Sequence, residues 1–235
     1  MLIRYLLATL AAGLLAGLLV TPAMYLKTVP LILQAETYEG AGGHSHGEAE
    51  AVPHDHGAIA EAEEEGAELP FGRLGNTILA NLVAGAGFAL LLGGVALALG
   101  LRITPHNGIY WGVAGFFAVA FMPSLGLSPE LPAMPAADLA DRQLWWLVTV
   151  VLSGIALYLV ILRQEIWAKA LGLLLIVLPH LYGAPHPEDI SSPIPALLAS
   201  QYAVASLATN LFMWAVIGLA LGWFIQHYAS PEIEG

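Results

Sequence analysis

The chain has 235 residues, of which 58% are hydrophobic and 11% charged, whereas about a quarter of the residues in an average soluble domain carry a charge. This composition excludes an ordinary soluble protein and predicts a single all-α integral membrane domain over residues 1–235. The formal net charge of −11 excludes nucleic acid as a partner. Because there is no cysteine, any metal must be held mainly by nitrogen and oxygen ligands.

Six apolar runs follow one another and predict a bundle of about six transmembrane helices, since a helix needs about 20 apolar residues to cross the bilayer core. The runs cover residues 5–26, 77–99, 108–127, 144–162, 166–178 and 195–224. The first run resembles a secretory signal, but its apolar core is longer than the usual 7–15 residues or so. We therefore expect it to be retained as a helix.

Small residues on two runs predict close helix contacts. Gly13 and Gly17 form a G-x-x-x-G face on the first run, and Gly108, Gly112 and Gly115 follow the third. In a bilayer, small residues let helix backbones approach closely, where lipid supplies no hydrophobic driving force between helices.

The fifth run is short, because only thirteen residues precede Pro179 and His180. Extended to Gly183 it reaches eighteen residues, which is enough to span. Proline removes a helical hydrogen bond. We interpret this run as a short, proline-broken helix that either spans the membrane or is re-entrant.

A polar island at residues 36–70 separates the first two runs and predicts a flexible loop rich in histidine and acid. It holds ten of the eighteen acidic residues and four of the eight histidines, which are His44, His46, His54 and His56. Imidazole and carboxylate ligands suit divalent ions such as cobalt, nickel and zinc. The alternative is a plain solvated spacer, because a charged, weakly hydrophobic segment is also typical of disorder.

Further candidate metal ligands lie in two proline-containing loops. His180 and His186 are followed by Glu188 and Asp189, and Glu130 lies between Pro129 and Pro132. Irregular backbone beside broken helices is where transporters commonly bind ions. The alternative for His180 is a structural histidine that bonds to a neighbouring helix.

The remaining polar residues limit the classes of transport mechanism that the sequence allows. The apolar runs contain no aspartate or glutamate, which argues against an antiporter driven by membrane-embedded carboxylates. Asn81 and Asn210 lie within runs, where we interpret them as contacts between helices rather than as a permeation site. Nucleotide-binding and hydrolase motifs are absent from the sequence, so we predict that the chain is not an enzyme.

Positive charges near the helix ends predict the orientation. With six spans, one side carries four (Arg4, Arg102, Arg163 and Lys169) and the other carries three (Lys27, Arg73 and Arg142). This distribution places both termini in the cytoplasm. The histidine-rich island and both proline-containing loops then lie together on the extracytoplasmic side.

Several segments together resemble the CbtA family of predicted cobalt transporter subunits. They are GIYWGVAGF at 108–116, PSLGLSPELP at 123–132, RQLWW at 142–146, and PH at 179–180 with GAP at 183–185. The resemblance covers nearly the whole chain. It implies cobalt import for cobalamin synthesis across the inner (plasma) membrane, with a small single-span, histidine-bearing companion, CbtB. The family is usually described with five spans rather than six.

Two functions remain open from the sequence. One is a permease subunit whose histidine-rich island captures the ion, with cobalt as the first choice and nickel or zinc as alternatives. The other is a non-transporting scaffold, or a metal-sensing or delivery subunit for another transporter. The sequence leaves open whether the chain forms a homo-oligomer.

Overall fold

The computed structural model describes residues 1–42 and 71–229, and every structural statement below refers to these residues. They form seven helices and no strand, which confirms the predicted all-α class. The helices are α1 (Leu2–Lys27), α2 (Val29–Gly42), α3 (Gly72–Ala98), α4 (Gly108–Ser124), α5 (Leu139–Leu162), α6 (Ile166–Tyr182) and α7 (Ala196–Ala229).

Six of the helices coincide with the six apolar runs of the sequence. Four of them (α1, α3, α5 and α7) are long and apolar enough to cross a membrane. The other two, α4 and α6, are shorter apolar helices. Each has 17 residues, which at about 1.5 Å per residue gives roughly 25 Å. That is a little less than the hydrocarbon core of about 30 Å.

Helix α2 corrects the predicted start of the flexible loop. The loop was expected to begin at residue 36, but the helix continues to Gly42. The cause is tertiary packing, because Ala35 of α2 is buried in a cluster with Leu131, Ile194 and Leu198. The Glu36 carboxylate also accepts two hydrogen bonds from the Arg73 guanidinium at the start of α3, at 2.8 and 3.2 Å.

Helix α6 corrects the break expected at Pro179. The helix runs through Pro179 and ends only after Tyr182. Gly183 terminates it with a φ of +93°, a conformation that glycine adopts without a steric penalty. The Gly183 N–H donates to the Pro179 carbonyl at 3.1 Å. Proline is accommodated here because it removes a single hydrogen bond within the last turn.

The small-residue faces predicted from the sequence form the two closest helix contacts. Gly13 of α1 meets the backbone of Gly85 on α3, where a Cβ on either residue would overlap the opposing carbonyl oxygen. Gly108 of α4 meets Gly218 of α7 in the same way. Both contacts join helices that run in opposite directions.

Helix α4 contains a π-helical turn at Phe117–Phe121, immediately before Met122 and Pro123. A π-turn adds one residue per hydrogen-bonded loop and is frequent at functional sites. It lies at the middle of the bundle, where Val119 is buried beside α7.

Helix α2 and two loop segments meet at one end of the bundle, which we call the Glu130 end. Segment 125–138 contacts α2 and the start of α7 through Leu131. Segment 183–195 approaches it, since Ala184 lies next to Gly126. The opposite end, called the Arg102 end, carries Met1, the segment 99–107 and the end of α7. The grouping of these loops agrees with the predicted topology, and the side of the membrane that each end faces stays a prediction.

Candidate functional site

The structure describes three of the seven candidate metal ligands. Glu130, His180 and His186 all lie at the Glu130 end, whereas His44, His46, His54 and His56 lie outside the described residues. Within residues 1–42 and 71–229, no three histidine, aspartate or glutamate side chains come together as a metal-binding group. The three described candidates therefore share one end of the bundle but do not form a preassembled cluster.

His180 lies on the last turn of α6 against the aromatic ring of Trp145. The two ring centroids are 5.7 Å apart in an edge-on arrangement. The Trp145 indole N–H also donates to the Pro179 carbonyl at 3.3 Å, which holds the end of α6 against α5. The Nε2 atom of His180 is buried without a hydrogen-bond partner among the described residues. An unpartnered imidazole nitrogen can accept a proton or hydrogen bond or ligate a metal.

His186 is exposed in the segment 183–195. Nearby, Asp189 accepts a 2.8 Å hydrogen bond from the backbone N–H of Ser191, and this bond lowers the pKa of the Asp189 carboxyl. Asp189 is thus engaged within its own turn. His186 is accessible from the aqueous side of the bundle end.

A cavity of about 530 Å³ opens beside Glu130 between α3, α4, α5 and α7, and we call it the Glu130 cavity. Phe88, Val119 and Trp214 lie at its apolar inner part. Its polar lining groups lie mostly towards the bundle end; they are Ser124, Ser128, Glu130, Arg142, Gln143, Ser206 and Asn210. The prediction had named Glu130 as a ligand but had not identified a cavity around it.

An ion pair lies at the mouth of this cavity. The Arg142 Nη2 atom is 2.7 Å from Glu130 Oε2, and about a quarter of each side chain is exposed. Burial raises the pKa of the Glu130 carboxyl, and the positive charge of Arg142 partly opposes that rise. The Nε atom of Arg142 is buried without a hydrogen-bond partner in the described part of the chain. The pair is therefore partly desolvated and incompletely bonded.

Asn81 and Asn210 have different environments, although the sequence predicted the same role for both. Asn81 is buried and its amide donates to the Thr21 hydroxyl at 3.0 Å, so it does join α3 to α1. The Oδ1 atom of Asn210 is buried without a hydrogen-bond partner in the described structure, and the residue lines the Glu130 cavity. Asn210 thus lines the cavity and carries a buried acceptor that is not satisfied within the described structure.

A pattern in the sequence could have located this face of α7. Ser206, Asn210 and Trp214 are spaced four residues apart, so they lie on one side of the helix. All three line the Glu130 cavity. The sequence indicated Arg142 only as a charge that sets orientation and as part of a family motif, and its pairing with Glu130 could not be read from the chain.

A family model described as a probable cobalt transporter subunit, CbtA, matches residues 2–226 of the chain. The chain belongs to the CbtA family. This confirms the family resemblance seen in the sequence motifs. CbtA is a transporter-subunit family rather than an enzyme family, and together with the apolar helices it identifies the chain as a multi-pass membrane protein. No curated protein and no solved structure shows significant similarity to the chain.

The CbtA bundle contains a second cavity of about 470 Å³, which we call the Arg102 cavity. It lies between α3, α4 and α5 and is lined almost entirely by apolar side chains. Its polar residues include Arg102 and Asn107, near the opposite end of the bundle. Val119 and Trp214 line both cavities, so the two cavities adjoin each other.

Proposed function

We propose that the chain is the membrane subunit of a cobalt uptake transporter and that the Glu130 cavity receives the ion. The observation that carries this proposal is that Glu130 and Asn210 line the same cavity, and that the Asn210 Oδ1 atom has no hydrogen-bond partner among the described residues. Both side chains carry oxygen atoms that can ligate a cation, in a bundle whose apolar runs hold no carboxylate. Family membership supplies the substrate, cobalt.

The size of the cavity suits a hydrated divalent ion. Six waters occupy on the order of 180 Å³ at about 30 Å³ each, whereas the cavity offers about 530 Å³. A cobalt ion can therefore enter with its inner water shell and exchange one water at a time for protein oxygens. The hydroxyl and amide side chains of Ser128, Gln143 and Ser206 can hydrogen-bond the remaining waters.

Arg142 has a defined role in this scheme. Before an ion arrives, the guanidinium neutralises Glu130 across 2.7 Å and so reduces the cost of a partly buried carboxylate. A divalent cation offers the carboxylate a stronger partner and repels the guanidinium. Ion binding is thereby coupled to opening of the Glu130–Arg142 pair.

The histidine-rich island would deliver the ion to this mouth. Helix α2 leads into the island and packs against Leu131, next to Glu130, and α3 begins beside α2 through the Arg73–Glu36 pair. The described residues on either side of the four island histidines therefore both lie at this end of the bundle. Tethering raises the local ligand concentration, and the island's ten carboxylates attract cations. His180 and His186 belong to the same end and are further candidate ligands.

The expected setting is the inner membrane, with a small single-span, histidine-bearing companion subunit. The test is cobalt uptake into proteoliposomes that hold the purified chain, with and without that companion. Internal calcein, whose fluorescence cobalt quenches, gives the initial rate, and nickel and zinc are compared under the same conditions. We expect saturable uptake that depends on the chain. Metal binding without uptake, even with the companion present, would instead identify a scaffold or metal-delivery subunit.

A further inference from the structure

We propose that the indole of Trp214 is the gate between the Glu130 cavity and the Arg102 cavity, which form the two halves of one route through the bundle. The identity of the ion rests on the function proposed above. The position of the gate rests on packing alone.

Trp214 separates the two cavities. It is fully buried near the middle of α7, and it lines both of them. Val119 of α4 is the other residue that the two linings share. One cavity extends from these two side chains towards Glu130 and the other towards Arg102. A change at these two side chains therefore decides whether the cavities connect.

The contacts of the indole differ from those of an ordinary core tryptophan. Its ring stacks on Phe88 with centroids 4.8 Å apart, and it lies so close to Gly115 that a Cβ there would overlap it. Its Nε1 atom is buried but has no hydrogen-bond partner among the described residues. A buried tryptophan N–H usually finds a partner. The ring is thus positioned by packing, without a polar bond that would hold it in one orientation.

The constriction between the two cavities has Trp214 on one side and Val119 on the other, and the backbone on the Val119 side can also change. Val119 lies within the π-helical turn at Phe117–Phe121, and π-turns are associated with functional sites and local changes in helix register. Reversion of this turn to an α-helix would rotate Val119 relative to α7. Rotation of the indole into either cavity, together with this shift, would open the constriction. Closure by apolar side chains is a known way to block a hydrated ion.

Cysteine accessibility tests the gate without requiring cobalt. The chain has no cysteine, so single reporters are clean. Ser206→Cys places a thiol in the Glu130 cavity. Gly154→Cys places one on the exposed side of the Arg102 cavity, where an added Cβ meets no atom within 4 Å. A charged, membrane-impermeant thiol reagent is applied to each membrane face in turn, in vesicles of both orientations.

We expect Ser206→Cys to react from the face that carries Glu130, and Gly154→Cys to be protected from that face. Adding Trp214→Ala should raise the modification rate of Gly154→Cys from the Glu130 face by about tenfold or more. Val119→Ala widens the same constriction from α4 and should act in the same direction. It provides a second test if Trp214→Ala does not yield folded protein.

The matched control is Trp223→Ala, which removes a half-exposed tryptophan of the same helix that lines neither cavity. It should leave the labelling pattern unchanged. The gate would be overturned if Gly154→Cys were modified from the Glu130 face at the same rate with and without Trp214. It would also be overturned if neither Trp214→Ala nor Val119→Ala changed that rate. If the labelling of Gly154→Cys depends on Trp214 but the protein transports no cobalt, the gate is supported and the proposed substrate is refuted.

Discussion

Arg142 donates to Glu130 across 2.7 Å at the mouth of the Glu130 cavity, and this contact joins the start of α5 to the preceding loop. Both groups are only partly solvated, so each depends on the other for neutralisation. A cation that binds Glu130 must therefore compete with a guanidinium that is already in place.

Glu130→Gln should raise the cobalt concentration needed for half-maximal uptake by about tenfold or more. Glutamine keeps the shape of the side chain but removes the charge. The expected loss in affinity is comparable to that of a hydrogen bond to a charged group, which contributes about 1.5–3 kcal/mol. The measurement is initial uptake rate against cobalt concentration in proteoliposomes. Glu188→Gln, an exposed carboxylate outside the cavity lining, is the control. Unchanged half-saturation in Glu130→Gln would remove Glu130 from the ion route.

The pH dependence of uptake should also reflect protonation of the Glu130 carboxyl. Burial raises the pKa of this carboxyl, so it takes up a proton at a higher pH than an exposed glutamate, whose ordinary pKa is about 4.3. The protonated form carries no charge and cannot attract the cation. Affinity should therefore fall on acidification before exposed carboxylates titrate, and Glu130→Gln should lose this part of the profile. A variant that keeps the wild-type pH profile would contradict the assignment.

The histidine-rich island should bind divalent metal in a pH-dependent way. Imidazole must be neutral to ligate, and its reference pKa is about 6.5. Isothermal titration of a peptide covering residues 36–70 with cobalt should show binding that weakens below roughly pH 6. The control replaces His44, His46, His54 and His56 with alanine. If the control binds as tightly as the wild type, the island is a spacer.

His180 and the island should affect different kinetic parameters. Deleting residues 44–56 should reduce uptake at low cobalt and matter little at saturation, because the island only raises the local concentration. His180→Ala should lower the maximal rate even at saturating cobalt, since a ligand on the route cannot be replaced by mass action. Uptake curves at matched surface expression separate the two. A wild-type maximal rate for His180→Ala would leave the residue as a packing partner of Trp145.

Gly13→Ala should destabilise the bundle, whereas Gly87→Ala should not. A methyl group at Gly13 would overlap the backbone of Gly85, but one at Gly87 meets no atom within 4 Å. Overpacking typically costs about 1–3 kcal/mol. Intrinsic fluorescence of the six tryptophans during heating in detergent gives the unfolding midpoint of each variant. Equal midpoints for the two variants would show that α1 and α3 can separate without cost.

The sequence by itself determined the all-α membrane class, the positions of six apolar helices and the small-residue packing faces of two of them. These features are local, because apolar length and small-residue spacing are properties of each segment alone. The contact of Gly13 with Gly85 and that of Gly108 with Gly218 follow the predicted faces. The motifs at 108–116, 123–132, 142–146 and 179–185 together likewise indicated the family, which the match over residues 2–226 confirms.

Only the tertiary structure decided what each polar residue faces. Asn81 and Asn210 look alike in sequence, yet Asn81 bonds to Thr21, whereas Asn210 lines a cavity and its buried oxygen has no partner in the described structure. The cavity exists because side chains of four helices and a loop converge, and no local pattern encodes such distant contacts. The same reason explains α2, whose extension to Gly42 depends on burial of Ala35 against segments about 100 and 160 residues away in the chain.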